Sequence, residues 1–392
     1  MKVAALFAGI GGLELGLRQT GHEAALFSEN WELAAVVLAE RFPGVPNRGD
    51  VAALDRLPPK IDLLTAGFPC QDLSQAGNTA GIGGKKSGLV DHVFRLLDGR
   101  DVPWVLLENV SFMLHLDGGK AMNRLVSAFE KRGYRWAWRV VNSLGFLPQR
   151  RERVFFLASK AGDPADVLFA DEAFPPSVET RLDTHAHGFY WTEGIRGLGW
   201  APDAVPTLKN GSTIGIASPP AIILPDGAIV KPDIRDAERL QGFPADWTKP
   251  AETVRKASWR WSLVGNAVTV PVARWVGERL VHPGEHAPER DWKLPRGERW
   301  PRAARFDGKS RFGVKISDFP VWLERPRLTD FLQFPASPLS ARATAGFLER
   351  TGRGSLRFVP GFRERVGAHL RRAQALDRAG GKKPARRLLA AE

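Results

Sequence analysis

An alternation of apolar, strand-like segments with amphipathic, helix-like segments fills the first 158 residues of this 392-residue chain. The segments that we interpret as strands are Lys2–Phe7, Glu23–Ser28, Ile61–Ala66, Pro103–Leu107, Tyr134–Val141 and Arg153–Ala158. The helical segments are at about Trp31–Arg41, Leu89–Leu97 and Lys120–Arg132. Strands that alternate with helices indicate βαβ units, so the sequence predicts an α/β fold with a mainly parallel, doubly wound sheet.

A glycine-rich turn follows the first strand and leads into a helix. Gly9, Gly11 and Gly12 stand where glycine lets a ligand approach backbone N–H groups close to a helix N-terminus. Glu29 ends the second strand, the position at which βαβ units hold ribose hydroxyls. Asp50 precedes the third strand and could accept a hydrogen bond from an adenine amino group. Each carboxylate taken alone also fits a loop or a helix cap.

The only cysteine, Cys70, follows the third strand in the stretch Gly67–Ser74, which reads Gly-Phe-Pro-Cys-Gln-Asp-Leu-Ser. Open α/β sheets usually place their chemistry in turns at the carboxyl ends of strands, so Cys70 is a candidate nucleophile. Taken by itself, a lone cysteine in a cytosolic protein is more commonly a small, buried, apolar residue. A single cysteine excludes an intrachain disulfide, which suits a reducing cytoplasm.

The domain organisation is predicted from changes in composition. Between about residues 160 and 236, prolines, turns and short polar segments replace the alternation, which indicates a separate, mostly β or irregular domain. This segment carries 6 Lys and Arg against 11 Asp and Glu, so it is poorly suited to non-specific phosphate binding. Regular structure returns over 237–284, which we expect to complete the domain formed by 1–159.

The net charge of +13 is concentrated in residues 285–392, which contain 24 Lys and Arg against 12 Asp and Glu. We interpret this region as a basic C-terminal extension that contains a helix over Val366–Arg378 and is partly disordered at its end. Basic surfaces favour nucleic acid, because they neutralise phosphates and release counterions. A solvated surface or a purely structural cap explains the same composition.

The order of these segments resembles that of the cytosine-C5 DNA methyltransferases over about two-thirds of the chain. Phe7–Gly12 (Phe-Ala-Gly-Ile-Gly-Gly) looks like the family's cofactor motif, and Gly67–Ser74 looks like its nucleophile motif. Glu108–Val110 (Glu-Asn-Val) resembles the catalytic acid motif, and Gln149–Arg153 matches the Gln-x-Arg-x-Arg element. Gly265–Val268 resembles the last cofactor motif. Chance does not readily produce this order and spacing.

The resemblance implies a role in methyl transfer for each motif. C5 of cytosine is a poor nucleophile, so the Cys70 thiolate would first add to C6. This addition moves electron density onto N3 and O2, where Glu108 and Arg153 would stabilise it. Arg151 would orient the site, and either arginine could favour ionisation of the thiol. Without the resemblance, Glu108 and the arginines would be interpreted as surface ion pairs.

The resemblance also implies S-adenosyl-L-methionine as methyl donor, with no metal. The residues implied for this cofactor are Phe7, Gly9, Gly11, Gly12, Glu29, Asp50 and Asn266. Phe7 and Asp50 would lie near the adenine, Glu29 would bind the ribose, and the others would surround the methionine end. Many relatives carry an apolar or aromatic residue directly after the ribose-binding acid, where this chain has Asn30 and then Trp31.

The partner implied by the resemblance is duplex DNA, from which the target cytosine must leave the base stack. We therefore expect a Rossmann-like S-adenosylmethionine-dependent methyltransferase domain with a target-recognition domain over 160–236, in which Val205–Leu208 resembles the family's recurrent element. The basic extension would add phosphate contacts that this acidic domain lacks. We expect a cytoplasmic monomer without a membrane segment, accompanied by a cognate restriction endonuclease if it belongs to a restriction-modification system.

Three other functions fit part of the sequence. A transfer-RNA cytosine-C5 methyltransferase would use the same catalytic residues, although the separate middle domain favours DNA. A non-catalytic DNA-binding module would keep the fold, but every catalytic position is present here. A nicotinamide-dependent oxidoreductase fits the first glycine turn and gives no role to Cys70, Glu108 or Arg153.

Overall fold

The computed structural model describes residues 1–68, 88–177, 180–209, 219–295 and 297–379. They form two compact units. Unit 1 comprises Met1–Gly145, Glu152–Pro175 and Ala267–Trp322, and unit 2 comprises Phe146–Arg151, Pro176–Asn266 and the chain from Leu323 onward. Each unit is therefore assembled from segments that lie far apart in sequence, and the chain passes between the units five times.

The elements of both units are numbered here in chain order. The strands are β1 (Lys2–Leu6), β2 (Glu23–Ser28), β3 (Leu63–Ala66), β4 (Trp104–Val110), β5 (Arg135–Asn142), β6 (Gln149–Arg150), β7 (Glu152–Ser159), β8 (His187–Phe189), β9 (Ala201–Pro202), β10 (Val205–Pro206), β11 (Ala221–Ile223), β12 (Ile229–Lys231), β13 (Asp291–Lys293), β14 (Ala303–Phe306), β15 (Arg311–Val314) and β16 (Ser337–Pro338). The helices are α1 (Gly12–Arg18), α2 (Glu32–Arg41), α3 (Leu89–Asp98), α4 (Lys120–Lys131), α5 (Pro164–Leu168), α6 (Ile234–Leu240), α7 (Arg260–Asn266), α8 (Val270–Val281), α9 (Leu328–Phe331), α10 (Ala341–Arg353) and α11 (Phe362–Arg378). Single 3-10 turns occur between them, such as Val51–Ala53.

Unit 1 is built on a nine-stranded sheet with the order β13-β15-β14-β5-β7-β4-β3-β1-β2. The strand pairs among β1 to β4 are parallel, and all remaining strand pairs of this sheet are antiparallel. The sheet is therefore mixed, and the prediction of a mainly parallel sheet is wrong beyond β4. A parallel connection needs a crossover of a dozen or more residues, whereas only residues 143–151 separate β5 from β7.

Helices cover both faces of this sheet. Leu64 and Ala66 of β3 share one buried cluster with apolar side chains of α3 and α4, including Val93 and Phe129. Thr65 points to the opposite face, because side chains alternate along a strand, and there it contacts α1. Helix α1 packs on α8 so closely that a Cβ at Gly16 would lie 2.6 Å from the carbonyl oxygen of Val270.

Unit 2 contains an antiparallel sheet with the order β16-β12-β11-β8-β9 and a separate parallel pair, β6 with β10. The C-terminal helices belong to the core of this unit, because Phe347 of α10 and Phe362 of α11 are fully buried in one cluster with Phe189 of β8. The described part of 285–392 is thus divided between the units: β13 to β15 extend the sheet of unit 1, and β16, α10 and α11 complete unit 2. The predicted boundary at residue 284 does not coincide with a boundary between the units.

No helix in the described ranges is both long and apolar enough to cross a membrane.

Candidate active site

The glycine turn between β1 and α1 is held by Glu29, which follows β2. Glu29 Oε2 accepts a hydrogen bond from the backbone N–H of Gly9 (2.8 Å), and Oε1 accepts one from the N–H of Trp31 (2.7 Å). Burial raises the pKa of this carboxyl above its usual value. A carboxylate offers about four acceptor positions, so both oxygens of Glu29 keep capacity for the hydroxyl groups of a sugar.

The backbone of this turn is left-handed at three positions. Phe7, Gly9 and Gly11 all have left-handed φ angles, of 53°, 56° and 79°. A Cβ at Gly11 would lie 2.5 Å from the Phe42 ring, whereas a Cβ at Gly9 would meet nothing within 4 Å. Gly11 is thus needed for packing, and the backbone at Gly9 is open to a ligand. Gly12 is the first residue of α1 and is buried.

Asn47 connects Asp50 to the Glu29 segment. Its Oδ1 accepts hydrogen bonds from the N–H groups of Glu29 (3.0 Å) and Gly49 (3.1 Å), and its Nδ2 donates to the carbonyl of Glu29 (3.0 Å). Asp50 itself caps a short 3-10 turn by accepting from the N–H of Ala52 (2.9 Å). The structure therefore brings Gly9, Glu29 and Asp50 to one end of the sheet. Asn47 was not predicted as a site residue, although Asn before Arg-Gly in a loop is a turn signal.

Glu108 and Arg153 form an ion pair across neighbouring strands, with 3.2 Å between Glu108 Oε1 and Arg153 Nε. Glu108 lies on β4 and Arg153 on β7, where Arg153 is directly opposite Val110. Both side chains are largely buried, with 9% of Glu108 and 15% of Arg153 exposed. Arg153 also donates to the carbonyl of Glu152 (2.8 Å). The two residues that were predicted to stabilise N3 and O2 are therefore in direct contact.

The segment that leads to Cys70 lies beside this ion pair. The amide Nδ2 of Asn109 donates to the carbonyl of Phe68 (2.8 Å), and a Cβ at Gly67 would lie 3.8 Å from Glu108 Oε2. Cys70 falls outside the described residues. The structure thus fixes the chain beside the acid up to Phe68, two residues before the predicted nucleophile.

Arg151 and Asn266 lie in unit 2. The Arg151 side chain is buried, and its guanidinium donates to the carbonyls of Leu208 (3.1 Å) and Gly265 (3.3 Å). Asn266 ends α7 and is exposed. Arg151 therefore holds the backbone next to Asn266, and its role in orienting the site stays a prediction.

Gln149 joins the same buried network. Its Nε2 donates to the carbonyl of Leu240 (2.7 Å) and to Oε1 of Gln241 (3.0 Å), and its Oε1 accepts from the N–H of Leu208 (3.1 Å). Gln241 in turn donates to the carbonyl of Val264 (2.9 Å). The sequence analysis quoted Gln149 only as part of a motif and gave Gln241 no role.

Within the residues that the structure describes, no three His, Cys, Asp or Glu side chains are grouped so that they could hold a metal ion.

Comparison with known proteins defines the class. Residues 1–184 match the family model described as C-5 cytosine-specific DNA methylase. The chain belongs to this family and is a DNA (cytosine-5-)-methyltransferase, which confirms the resemblance drawn from its motifs. It is 48% identical over 366 residues to Type II methyltransferase M2.BsuMI of Bacillus subtilis (strain 168), covering 90% of this chain and 94% of that protein. Type II methyltransferase M.DsaV of Dactylococcopsis salina is 26% identical over 310 residues, covering 72% and 86%.

Two solved structures share the fold at low sequence identity. The S. pombe Dnmt2 methyltransferase has a TM-score of 0.52 and 18% identity, covering 72% of this chain and 98% of that chain. The Entamoeba histolytica methyltransferase EhMeth has a TM-score of 0.51 and 14% identity, with the same coverage of 72% and 98%. These likenesses show an α/β methyltransferase fold.

Proposed function

We propose that this enzyme transfers the methyl group of S-adenosyl-L-methionine to C5 of a flipped-out cytosine, within a specific sequence of duplex DNA. The Glu108–Arg153 ion pair carries this proposal, because it sets an acid and a cation side by side next to the segment that leads to Cys70. The similarity to Type II methyltransferases supports a role in a restriction-modification system.

The residues around the glycine turn fit S-adenosyl-L-methionine. The open backbone at Gly9 admits a ligand, and the half-buried Glu29 carboxylate has acceptor capacity left for ribose hydroxyls. Phe7 and Asp50 would border the adenine, and Gly11, Gly12 and Asn266 the methionine end. When bound, the cofactor supplies an electrophilic methyl group on a sulfonium.

Cys70, Glu108 and Arg153 would activate the base. The Cys70 thiolate adds to C6 and forms a carbon–sulfur bond, while the electron pair of the C5–C6 double bond moves toward O2 and N3. Glu108 in its protonated form donates a hydrogen bond or proton to N3, and Arg153 stabilises the charge on O2. The methyl group would take the place of the C5 proton, which would be released to water, and departure of Sγ would restore the C5–C6 double bond.

Arg153 would act on O2 of the base from its position beside Glu108. Its guanidinium carries five N–H groups in a planar fork, and its contacts include Glu108 and the carbonyl of Glu152. A monomeric state, a cytoplasmic location and a cognate endonuclease are parts of the same proposal.

The first experiment measures methyl transfer from labelled S-adenosyl-L-methionine to unmethylated duplex DNA and to bulk transfer RNA, for the wild type and Cys70→Ala. Mapping of the product by bisulfite conversion should place the methyl group at C5 of cytosine in one DNA sequence. The signal should disappear in Cys70→Ala. Transfer to RNA alone would contradict duplex DNA as substrate.

A second experiment tests the covalent adduct itself. A duplex with 5-fluorocytosine at the mapped position cannot lose a proton from C5, so the Cys70–C6 bond should persist and survive denaturing electrophoresis. Glu108→Gln should form the adduct much more slowly, and Cys70→Ala should form none. An adduct of normal yield in Cys70→Ala would contradict the assigned nucleophile.

A further inference from the structure

The arginines of the basic C-terminal region differ in their surroundings, which the sequence does not show. In unit 1, four arginines between residues 290 and 311 are paired with carboxylates. The pairs are Arg290–Glu172, Arg302–Asp318, Arg305–Asp291 and Arg311–Glu130. The charge of these four arginines is compensated within the unit, so they serve the fold.

Helix α11 of unit 2 differs from this region, because some of its arginines have no carboxylate partner among the described residues. Its inner face is fixed by the buried side chains of Phe362, Val366 and His369. The backbone N–H of Ile229 donates to His369 Nδ1 (3.1 Å), and Nε2 donates to the carbonyl of Leu339 (2.9 Å). The two ring nitrogens of His369 therefore tie this position of the helix to two backbone groups of unit 2.

The outer side of α11 presents Arg363, Arg371 and Arg378. All three are exposed, and none has a hydrogen-bond or ion-pair partner among the described residues. Arg371 lies eight positions after Arg363, and Arg378 lies seven positions after Arg371. In an α-helix this spacing places the three side chains within an arc of about 80°, and about 12 Å and 10 Å apart along the axis. Their neighbours Arg365 and Arg372 instead donate to the carbonyls of Pro225 (2.9 Å) and Asp226 (3.3 Å).

We propose that Arg363, Arg371 and Arg378 form an arginine face that binds the phosphate backbone of duplex DNA during methylation. DNA carries one negative charge per about 1.7 Å of its axis, so a row of cations about 22 Å long meets several phosphates. The acidic segment 160–236 of the same chain needs such a partner surface, since it carries 6 basic against 11 acidic residues. Exposed Glu364 and Asp377 flank the row and limit its net charge.

Contacts of this kind position the DNA and carry no sequence information. The arginine face therefore supplies affinity that is equal for cognate and unrelated sequences. The inference rests on DNA as the substrate.

The test compares the full-length triple variant Arg363→Gln, Arg371→Gln, Arg378→Gln with the wild type. Arg56→Gln, Lys131→Gln, Lys309→Gln is the matched control, because it removes the same charge from exposed positions of unit 1. Dissociation constants for a cognate and an unrelated duplex are measured from 50 to 300 mM salt, and kcat is measured at saturating DNA. Circular dichroism checks that each variant is folded.

We expect the slope of log affinity against log salt to fall by about 2.7, at about 0.9 per lost phosphate contact. At 0.1 M salt the affinity should drop about 100-fold or more for both duplexes, with kcat within twofold of the wild type. An unchanged slope, or an equal loss in the control triple, would overturn the proposal. Binding is read separately from turnover, so absence of DNA methylation by the wild type would count against the proposed function alone.

Discussion

Replacing Glu14 by Gln should stabilise the protein, and more at pH 8 than at pH 5. Glu14 lies on α1, is only 3% exposed, and accepts a hydrogen bond at Oε1 from the hydroxyl of Thr65 (2.8 Å). Its Oε2 has no hydrogen-bond partner among the described residues. Burial, opposed in part by the Thr65 bond, raises the pKa of this carboxyl from 4.5 to about 7.

The direction in which stability changes with pH follows from proton binding to Glu14. Between pH 4.5 and about 7 the folded protein keeps a proton on Glu14 that the unfolded chain has lost, so stability falls as the pH rises through this window. At 1.36 kcal/mol per pKa unit, the ionised carboxylate costs about 3 kcal/mol at pH 8, but only about 1 kcal/mol at pH 5. Gln has no charge and keeps an oxygen for the Thr65 hydroxyl, so the advantage of Glu14→Gln should grow by about 2 kcal/mol between these pH values.

Urea denaturation of the variant and the wild type at pH 5, 6, 7 and 8 measures this difference. Glu278→Gln is the control, because it removes an exposed carboxyl from α8, the helix on which α1 packs. A difference between Glu14→Gln and the wild type that does not change with pH would refute the reasoning, as would a variant that is less stable than the wild type at pH 8.

Three further predictions concern other contacts. Asn47→Ala should weaken binding of S-adenosyl-L-methionine about tenfold in calorimetry, because it loses the hydrogen bonds that hold the Glu29 backbone; unchanged affinity would contradict this. Gly16→Ala should lower the free energy of unfolding by about 3 kcal/mol through overpacking against α8, whereas Gly99→Ala, with 3.7 Å to its nearest neighbour, should change it little. Arg151→Lys should weaken cofactor binding more than Arg139→Lys, another buried arginine bound to backbone carbonyls; equal losses in the two variants would show a merely structural role.

Much of the first half of the fold was predictable from local sequence. The strand predicted at Glu23–Ser28 matches β2, and the helix predicted at Lys120–Arg132 is one residue longer than α4. Apolar runs bounded by turn residues define such elements well. They carry no information on strand direction, so the antiparallel pairing of β5 and β7 did not follow from them.

In the candidate site, too, some residues were predictable from the sequence and others were not. Glu108 and Arg153 were predictable from motifs, and the structure brings them together. The roles of Asn47 and Gln149 depend on backbone groups that are distant in sequence, such as the carbonyl of Leu240 for Gln149. Similarly, a count of charges could not show that Arg305 and Arg311 are neutralised by Asp291 and Glu130.

The shared core of unit 2 has a consequence for how this unit could be exchanged between relatives. Segments 176–266 and 323–379 are separated by a stretch of unit 1, yet Phe189 of the first packs on Phe347 and Phe362 of the second. A chimera that receives only the first segment would set foreign side chains against the resident helices α10 and α11. Recombination, in nature or in the laboratory, would therefore have to exchange both segments. Because a stretch of unit 1 lies between them, each segment needs its own crossovers.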